Sequence, residues 1–141
     1  MIENKLPKNL LEKTSKRGNE LAWKLNDVEE VALAAEKLGF ANFGGQAQFM
    51  SSDGIYELYW IDIDTNSKAQ DEDWLQYVHR SKDEFLKLFK ENVLKTNFLK
   101  EAQNWQALQA KVEQNINVLD SLYFVIYFID EEEYNNLPKD L

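Results

Sequence analysis

The sequence predicts an α+β fold, with about four to five helices packed on a small, mainly antiparallel sheet of about three strands. Three patterns support this prediction. Apolar residues recur at helical spacing between residues 26 and 38 and again between residues 81 and 116. Apolar and polar residues alternate through much of residues 41–63, which is typical of half-buried strands. Residues 122–129 are apolar or aromatic throughout, which indicates a central strand covered on both faces.

The length and composition indicate one globular domain over residues 1–141. A chain of 141 residues buries about two-thirds of its unfolded surface, and 44% of these residues are hydrophobic. The absence of cysteine excludes disulfides, thiolate nucleophiles and cysteine-based metal sites. No apolar run approaches the roughly 20 residues of a membrane-spanning helix, and the first residues lack the apolar core of a secretory signal. We therefore expect a cytoplasmic protein that binds no membrane.

The chain is strongly acidic, with a formal net charge of −9 and a pI near 4.6. Phosphate groups would repel such a protein, so we expect no direct binding to nucleic acid. An acidic surface instead suits a basic protein partner, or it serves only to keep the molecule in solution.

Two helices are predicted in the first third of the chain. The first covers residues 7–17 and ends at Gly18. The second begins at Asn26, which has the spacing of a capping box with Glu29. Its apolar face consists of Val28, Val31, Ala32, Ala35 and Leu38. We expect Gly39 to end this helix in a left-handed conformation.

A β-hairpin is predicted next, because Asp53-Gly54 lies between two alternating segments. Its first strand contains the pair Gly44-Gly45, which indicates a β-bulge or a close approach by another part of the chain. Trp60 on the neighbouring strand is our candidate for the group that fills the space beside the two glycines.

The second half of the chain is predicted to contain a polar loop and three helices before the last strand. After the loop at residues 66–73, a short helix covers residues 71–80, and Ser81 with Glu84 forms a capping box for the next helix. That helix places Phe85, Leu88, Phe89 and Val93 on one face. A longer helix begins near Asn97 and carries Phe98, Ala102, Trp105, Leu108, Val112 and Ile116.

Few residues have the surroundings that catalysis needs. His79 is the only histidine, and no nucleophile accompanies it, so we expect it to cap a helix or lie on the surface. The Gly44-Gly45 pair lacks the three spaced glycines of a dinucleotide-binding loop. The tryptophans, at positions 23, 60, 74 and 105, have spacings more typical of core packing than of ligand stacking.

The segment from Asp62 to Asp73 partly resembles a calcium-binding loop, because oxygen ligands alternate at Asp62, Asp64 and Asn66. The sixth position is Ser67 where that loop needs glycine, and a strand precedes the segment where a helix is required. A solvated acidic loop explains the segment better. We therefore expect no metal ion, no cofactor and no catalytic residue.

Acidic residues form two clusters that we predict to bind a partner. They are Asp62, Asp64, Asp71, Glu72 and Asp73 in the first cluster, and Asp130, Glu131, Glu132 and Glu133 in the second. Either cluster alone is typical of a solvated loop or strand end. Together, at the edge of one small sheet, they would give a negative face for a basic partner. The alternative is an aromatic, helix-borne surface around Trp74 and Tyr77.

The chain resembles a family of immunity proteins from bacterial polymorphic toxin and contact-dependent growth inhibition systems. The resemblance covers about residues 22–129. The residues that carry it are Asn26, Asp27, Gly44, Gly45, Asp53, Gly54, Trp60, Trp74, Tyr77, Val78, Arg80, Ser81, Tyr123, Phe124 and Val125.

The resemblance implies a non-enzymatic protein that binds and neutralises a cognate toxin domain. Many such toxins act on nucleic acid and are basic, which suits an inhibitor of net charge −9. The alternative function is a small regulatory or adaptor domain that binds another protein, and an enzyme is the third possibility.

Overall fold

The computed structural model describes residues 5–15 and 20–138. The α-helices in this part of the chain are α1 (Lys8–Leu11), α2 (Val28–Lys37), α3 (Trp74–Leu88), α4 (Phe98–Ala102), α5 (Gln106–Glu113) and α6 (Glu131–Asn135). The strands are β1 (Ala22–Trp23), β2 (Ala41–Ser51), β3 (Gly54–Asp64) and β4 (Leu122–Ile129). The predicted α+β fold is confirmed.

The four strands form one antiparallel sheet in the order β1-β4-β2-β3. As predicted, residues 122–129 form a central strand, and β2 and β3 form a hairpin. The prediction of about three strands lacked β1. This strand has only two residues, which pair with Phe124 and Val125 of β4, and two residues are too few to establish a period.

The main core lies between the sheet and the helices. On β4, Leu122, Phe124 and Ile126 belong to this core, and the rings of Phe124 and Phe89 meet edge to face with their centroids 5.4 Å apart. Four of the five residues predicted for the apolar face of α2 are buried in the same core. Leu38 is 44% exposed because it is the C-cap residue, beyond the last regular turn.

The predicted glycine geometry is confirmed at three positions. Gly39 follows the C-cap of α2 with φ +82°. Gly44 lies at a bulge of β2 with φ +108°, and a Cβ there would overlap the carbonyl oxygen of Ile63. A Cβ on Gly45 would overlap the carbonyl oxygen of Val125. The neighbouring backbones therefore fill the space that we had assigned to Trp60, whose ring instead stacks on Trp105.

The capping box predicted at Asn26 is wrong. Asn26 lies inside a 3₁₀ turn, Leu25–Asp27, and the N-cap residue of α2 is Asp27. Asp27 has helical backbone angles and makes no side-chain capping bond. A capping side chain reaches the first N–H groups from an extended backbone, and the 3₁₀ turn removes that geometry.

The break predicted near Ser81 is also wrong, because α3 continues from Trp74 to Leu88. Its capping box is formed by Asp73 and Gln76, each of which bonds to the backbone of the other. Ser81 is buried inside the helix, where its Oγ accepts a hydrogen bond from the Asn42 N–H at 3.0 Å. Ser81 therefore connects α3 to β2.

The long helix predicted from Asn97 is divided into α4 and α5. A helix does begin near Asn97, as predicted, with Asn97 as the N-cap of α4, but Trp105 is extended and forms the N-cap of α5. This break brings the Trp105 ring to 6.3 Å from Phe49 and 5.5 Å from Tyr56. Val112 and Ile116, predicted to face the core, are exposed.

Helix α1 is shorter than the predicted helix over residues 7–17, and the predicted end at Gly18 lies outside the described residues. None of the helices in the described ranges is long and apolar enough to cross a membrane.

Candidate functional site

Both acidic clusters lie at the same end of the sheet. Strands β3 and β4 run antiparallel to β2, so their last residues lie beside the first residues of β2. Asp64 pairs with Gly44 on one side of β2, and Tyr127 pairs with Gly44 on the other. With about 4.8 Å between strands, Asp64 and Tyr127 are roughly 10 Å apart. Asp130 follows directly after β4.

Aromatic contacts hold the two clusters together. Trp74 follows Asp73 of the first cluster, Tyr134 follows Glu133 of the second, and the two rings are 5.4 Å apart. The buried ring of Tyr77 contacts both of them. The Trp74 indole N–H donates to the Gly39 carbonyl at 2.8 Å. The start of α3 and helix α6 therefore form one packed unit.

One predicted partner-binding residue, Glu72, forms part of the frame itself. The Arg80 guanidinium donates to both carboxylate oxygens of Glu72, at 2.5 and 2.8 Å, and to Glu84 at 2.7 Å. It also donates to the carbonyls of Asn66 and Ser67. These bonds from Arg80 lower the pKa of Glu72 to about 2. Arg80 thus fixes the loop between β3 and α3.

Asp73 and Asp130 also have structural roles, because each is an N-cap. Asp73 accepts from the backbone N–H of Gln76, and Asp130 accepts from that of Glu133, both at 2.8 Å. Asp130 also lies 3.8 Å from the Lys5 ammonium. N-cap bonds of this kind stabilise a helix by about 1 kcal/mol each.

Six exposed carboxylates remain, at Asp62, Asp64, Asp71, Glu131, Glu132 and Glu133. Glu133 donates the backbone N–H that Asp130 accepts, so we group it with that cap and call the other five residues the acidic face. These residues lie on a strand, on a loop that Arg80 holds in place and on a helix with a capped N-terminus. The geometry therefore presents negative charge from a rigid frame. Binding of a partner to this face stays a prediction.

A recess beside the acidic face adds aromatic walls to this end of the sheet. Its lining includes Phe43, Asp64, Tyr77 and Tyr127. Burial raises the pKa of Tyr127 to about 12, and a hydrogen bond to Glu20 contributes to the shift. Both tyrosines thus keep their hydroxyl protons, since burial likewise raises the pKa of Tyr77 to about 12.

His79 lies on the exposed side of α3, as predicted. Its Nδ1 is 2.7 Å from a Glu36 carboxylate oxygen, and the Lys82 ammonium approaches the same oxygen at 3.2 Å. These contacts connect α3 to α2. Glu36 and Lys82 form an ion pair, and His79 makes a hydrogen-bonding contact with the same carboxylate.

The residues weighed as calcium ligands lie in extended chain. Asp62 and Asp64 occupy alternate positions of β3 and oppose Gln46 and Gly44 of β2. In the ranges 5–15 and 20–138, no group of three or more histidine or acidic side chains is gathered as a metal site would require. The expectation that no metal binds stays a prediction.

A second surface was missed by the sequence prediction, which assigned Trp60 and Trp105 to core packing and offered only Trp74, with Tyr77, as an alternative interface. Between the pairs Ala47–Leu58 and Gln46–Asp62, β3 contains three additional residues. This bulge carries Tyr59 and Trp60, which are 70% and 43% exposed. Two adjacent large aromatic residues in a strand could have indicated this surface, because neighbouring side chains of a strand point to opposite faces and only one face is covered by the main core.

The aromatic residues of this bulge border an open groove. Its lining consists of Ile55, Tyr56, Glu57, Tyr59, Trp60, Asn104 and Trp105, and we call it the aromatic groove. The surface predicted as the alternative interface, around Trp74 and Tyr77, is less exposed than the aromatic groove. The Tyr77 side chain is 1% exposed, and Trp74 is packed between Tyr77 and Tyr134.

The chain was compared with known proteins. The comparison found no matching protein-family model, no matching curated protein and no matching solved structure.

Proposed function

We propose that this chain is a cytoplasmic immunity protein that binds and neutralises a cognate bacterial toxin domain without catalysing a reaction. The partner that suits it best is a basic, nuclease-like toxin. The observation that carries the proposal is the meeting of both acidic clusters at one end of the sheet, where Trp74 contacts Tyr134. The resemblance of residues 22–129 to immunity proteins supports the same function.

Electrostatics explains how such a protein would inhibit a nuclease. A nuclease binds phosphates through lysine and arginine side chains. Carboxylates presented from a rigid surface compete for the same cations, and complementary charge also accelerates the encounter. The acidic face offers five exposed carboxylates, and its frame is fixed by Arg80 and by the caps of α3 and α6.

The second candidate is a small regulatory or adaptor domain with a different basic partner. The acidic face supports this function as well, because charge complementarity does not depend on what the partner does. The genetic context separates the two candidates: an immunity gene is expected beside the gene of a toxin, whereas an adaptor gene is not.

Co-expression tests the proposal. The toxin domain encoded beside this gene is induced in bacterial cells with and without the protein, and surviving colonies are counted. We expect the wild-type protein to protect the cells. Loss of growth despite normal accumulation of the protein, for every adjacent toxin domain, would contradict the proposal.

A matched pair of variants connects protection to the acidic face. In the first variant the five residues of the acidic face become asparagine or glutamine. In the control, the same number of exposed carboxylates is neutralised elsewhere, at Glu12, Glu29, Glu30, Glu91 and Glu113. We expect protection to fall in the first variant and to persist in the control.

A further inference from the structure

We propose that the aromatic groove is a second contact site, which takes up an arginine side chain from a basic protein partner. That the partner is a toxin rests on the proposed function. The affinity of the groove for arginine rests only on the contacts and charges described below.

The groove has flat aromatic walls that are held in place. The Trp60 ring stacks on Trp105, with centroids 5.8 Å apart and planes inclined by 23°. Tyr59 meets Trp60 edge to face at 5.0 Å. The Trp60 indole N–H donates to a Glu101 carboxylate oxygen at 3.1 Å. Binding therefore needs little further ordering of these side chains, which favours affinity.

Core packing explains Trp105 but not the residues outside it. Trp105 contacts Phe49, which is fully buried. Trp60 stacks on Trp105, Tyr59 contacts Trp60, and both Trp60 and Tyr59 remain exposed. Tryptophan, tyrosine and arginine are the residues that contribute most often to the energetic centres of protein interfaces.

The charges around the groove favour a cationic ligand over an anionic one. Glu57 is part of the lining, and Glu101 bonds to Trp60, while the lining contains no lysine or arginine. A guanidinium group stacks on an indole face and pairs with a carboxylate in the same pose, which a lysine ammonium matches less well. The base of a nucleic acid would also stack, but the backbone phosphates would then meet the two carboxylates.

The groove is continuous with the acidic face along β3. Trp60 and Asp62 are two residues apart, so their Cα atoms are no more than about 7 Å apart. A basic partner seated on the acidic face would therefore extend across the groove. One partner surface can engage both sites.

Indole N–H resonances provide the test, because each tryptophan gives its own signal. The full protein is titrated with an acetylated Gly-Arg-Gly-Arg-Gly peptide and with its lysine analogue. We expect the Trp60 signal to shift saturably with the arginine peptide and at least about threefold more weakly with the lysine peptide. An unmoved Trp60 signal at millimolar peptide, or equal binding of both peptides, would overturn the proposal.

Variants separate the groove from general attraction to an acidic protein. Trp60→Ala should abolish the saturable binding, which is then followed at the signal of Trp105, and Glu101→Gln should weaken it at least about threefold. Glu113→Gln removes the same charge from the exposed end of α5 and should leave the binding unchanged. An equal effect of the two glutamine variants would also overturn the proposal. The peptide titration can fail while the wild-type protein still protects cells from the toxin. That result would overturn the arginine site in the groove but would not contradict the proposed function.

Discussion

Gly45 has no room for a side chain, because strands approach it closely on both sides of β2. A Cβ there would overlap the Val125 carbonyl oxygen and lie 2.7 Å from a ring carbon of Phe124. We therefore expect Gly45→Val to lower the free energy of unfolding by about 1–3 kcal/mol. Chemical denaturation measures the change.

Gly39→Asn is the matched control for this prediction. Gly39 also needs a special backbone, with φ +82°, but a Cβ there would have no atom within 4 Å. Asparagine adopts the left-handed conformation more readily than most residues. We expect a change below about 1 kcal/mol for Gly39→Asn. An unchanged denaturation midpoint for Gly45→Val would show that close packing does not constrain the glycine pair.

Ser81 gives a second prediction at the scale of a residue. Its buried hydroxyl accepts from the Asn42 N–H and donates to the Val78 carbonyl at 3.1 Å. Ser81→Ala would leave the Asn42 N–H buried without its acceptor, which costs about 1–3 kcal/mol of stability. Ser67→Ala, at an exposed loop position, should change the unfolding midpoint little. Equal effects of the two substitutions would contradict the structural role of Ser81.

The loop that leads into α3 is held to that helix by the Glu72–Arg80 contact. Hydrogen bonding from Arg80 lowers the pKa of Glu72 from its ordinary 4.5 to about 2. Glu72 therefore contributes stability fully above about pH 4.5, and this contribution is lost as the pH falls through about 2. We expect the stability difference between the wild type and Glu72→Gln to shrink over this range. Urea denaturation at a series of pH values measures it.

An Arg80→Gln background provides the control for the pH prediction. Without the guanidinium group, Glu72 loses the main cause of its lowered pKa. The substitution Glu72→Gln should then change the pH dependence of stability less than it does in the wild type, since only the weaker contacts from Ala69 and Lys68 still lower the pKa of Glu72. A wild-type difference that stays constant between about pH 4.5 and pH 2 would contradict the role of this contact.

Elements that are defined by local pattern could be predicted from the sequence. The strand at residues 122–129 has apolar residues for both faces, and Asp53-Gly54 forms a turn between alternating segments, so neither depended on distant contacts. The break at Trp105 did depend on them, because the ring packs on Phe49 and Tyr56 of the hairpin. Helical spacing continues through that break and gives no sign of it.

At the scale of the whole molecule, the sequence predicted the placement of the acidic clusters but not their division of roles. Antiparallel strand order alone brings the ends of β3 and β4 together. The sequence gives no sign that Glu72 pairs with Arg80, because the two residues are eight positions apart across the first turns of α3 and only the folded loop before α3 brings Glu72 to Arg80. The exposure of Trp60 likewise depends on the bulge of β3, which appears only once β2 and β3 are paired.

Neutralising the acidic face should change association more than stability. With all five carboxylates converted to amides, we expect the association rate with a basic toxin domain to fall about tenfold or more at low salt and to depend less on salt. Stability should change by less than about 1 kcal/mol, because exposed charges contribute little. Stopped-flow mixing at several salt concentrations measures the rate.

The control for association is the variant with amides at Glu12, Glu29, Glu30, Glu91 and Glu113, which has the same net charge. It should associate faster than the acidic-face variant at low salt, and the two rates should converge as salt screens the charges. Equal rates for the two variants would show that only net charge, and not the acidic face, steers the partner.

Inhibition of the purified toxin domain tests the proposed function most directly. Increasing amounts of the protein are mixed with the toxin domain encoded beside its gene, and the remaining toxin activity is measured on the substrate of that toxin. We expect activity to fall in proportion to the protein added and to reach background near an equimolar ratio, as tight one-to-one binding requires. Full toxin activity in a large molar excess of folded protein would contradict the function as an immunity protein.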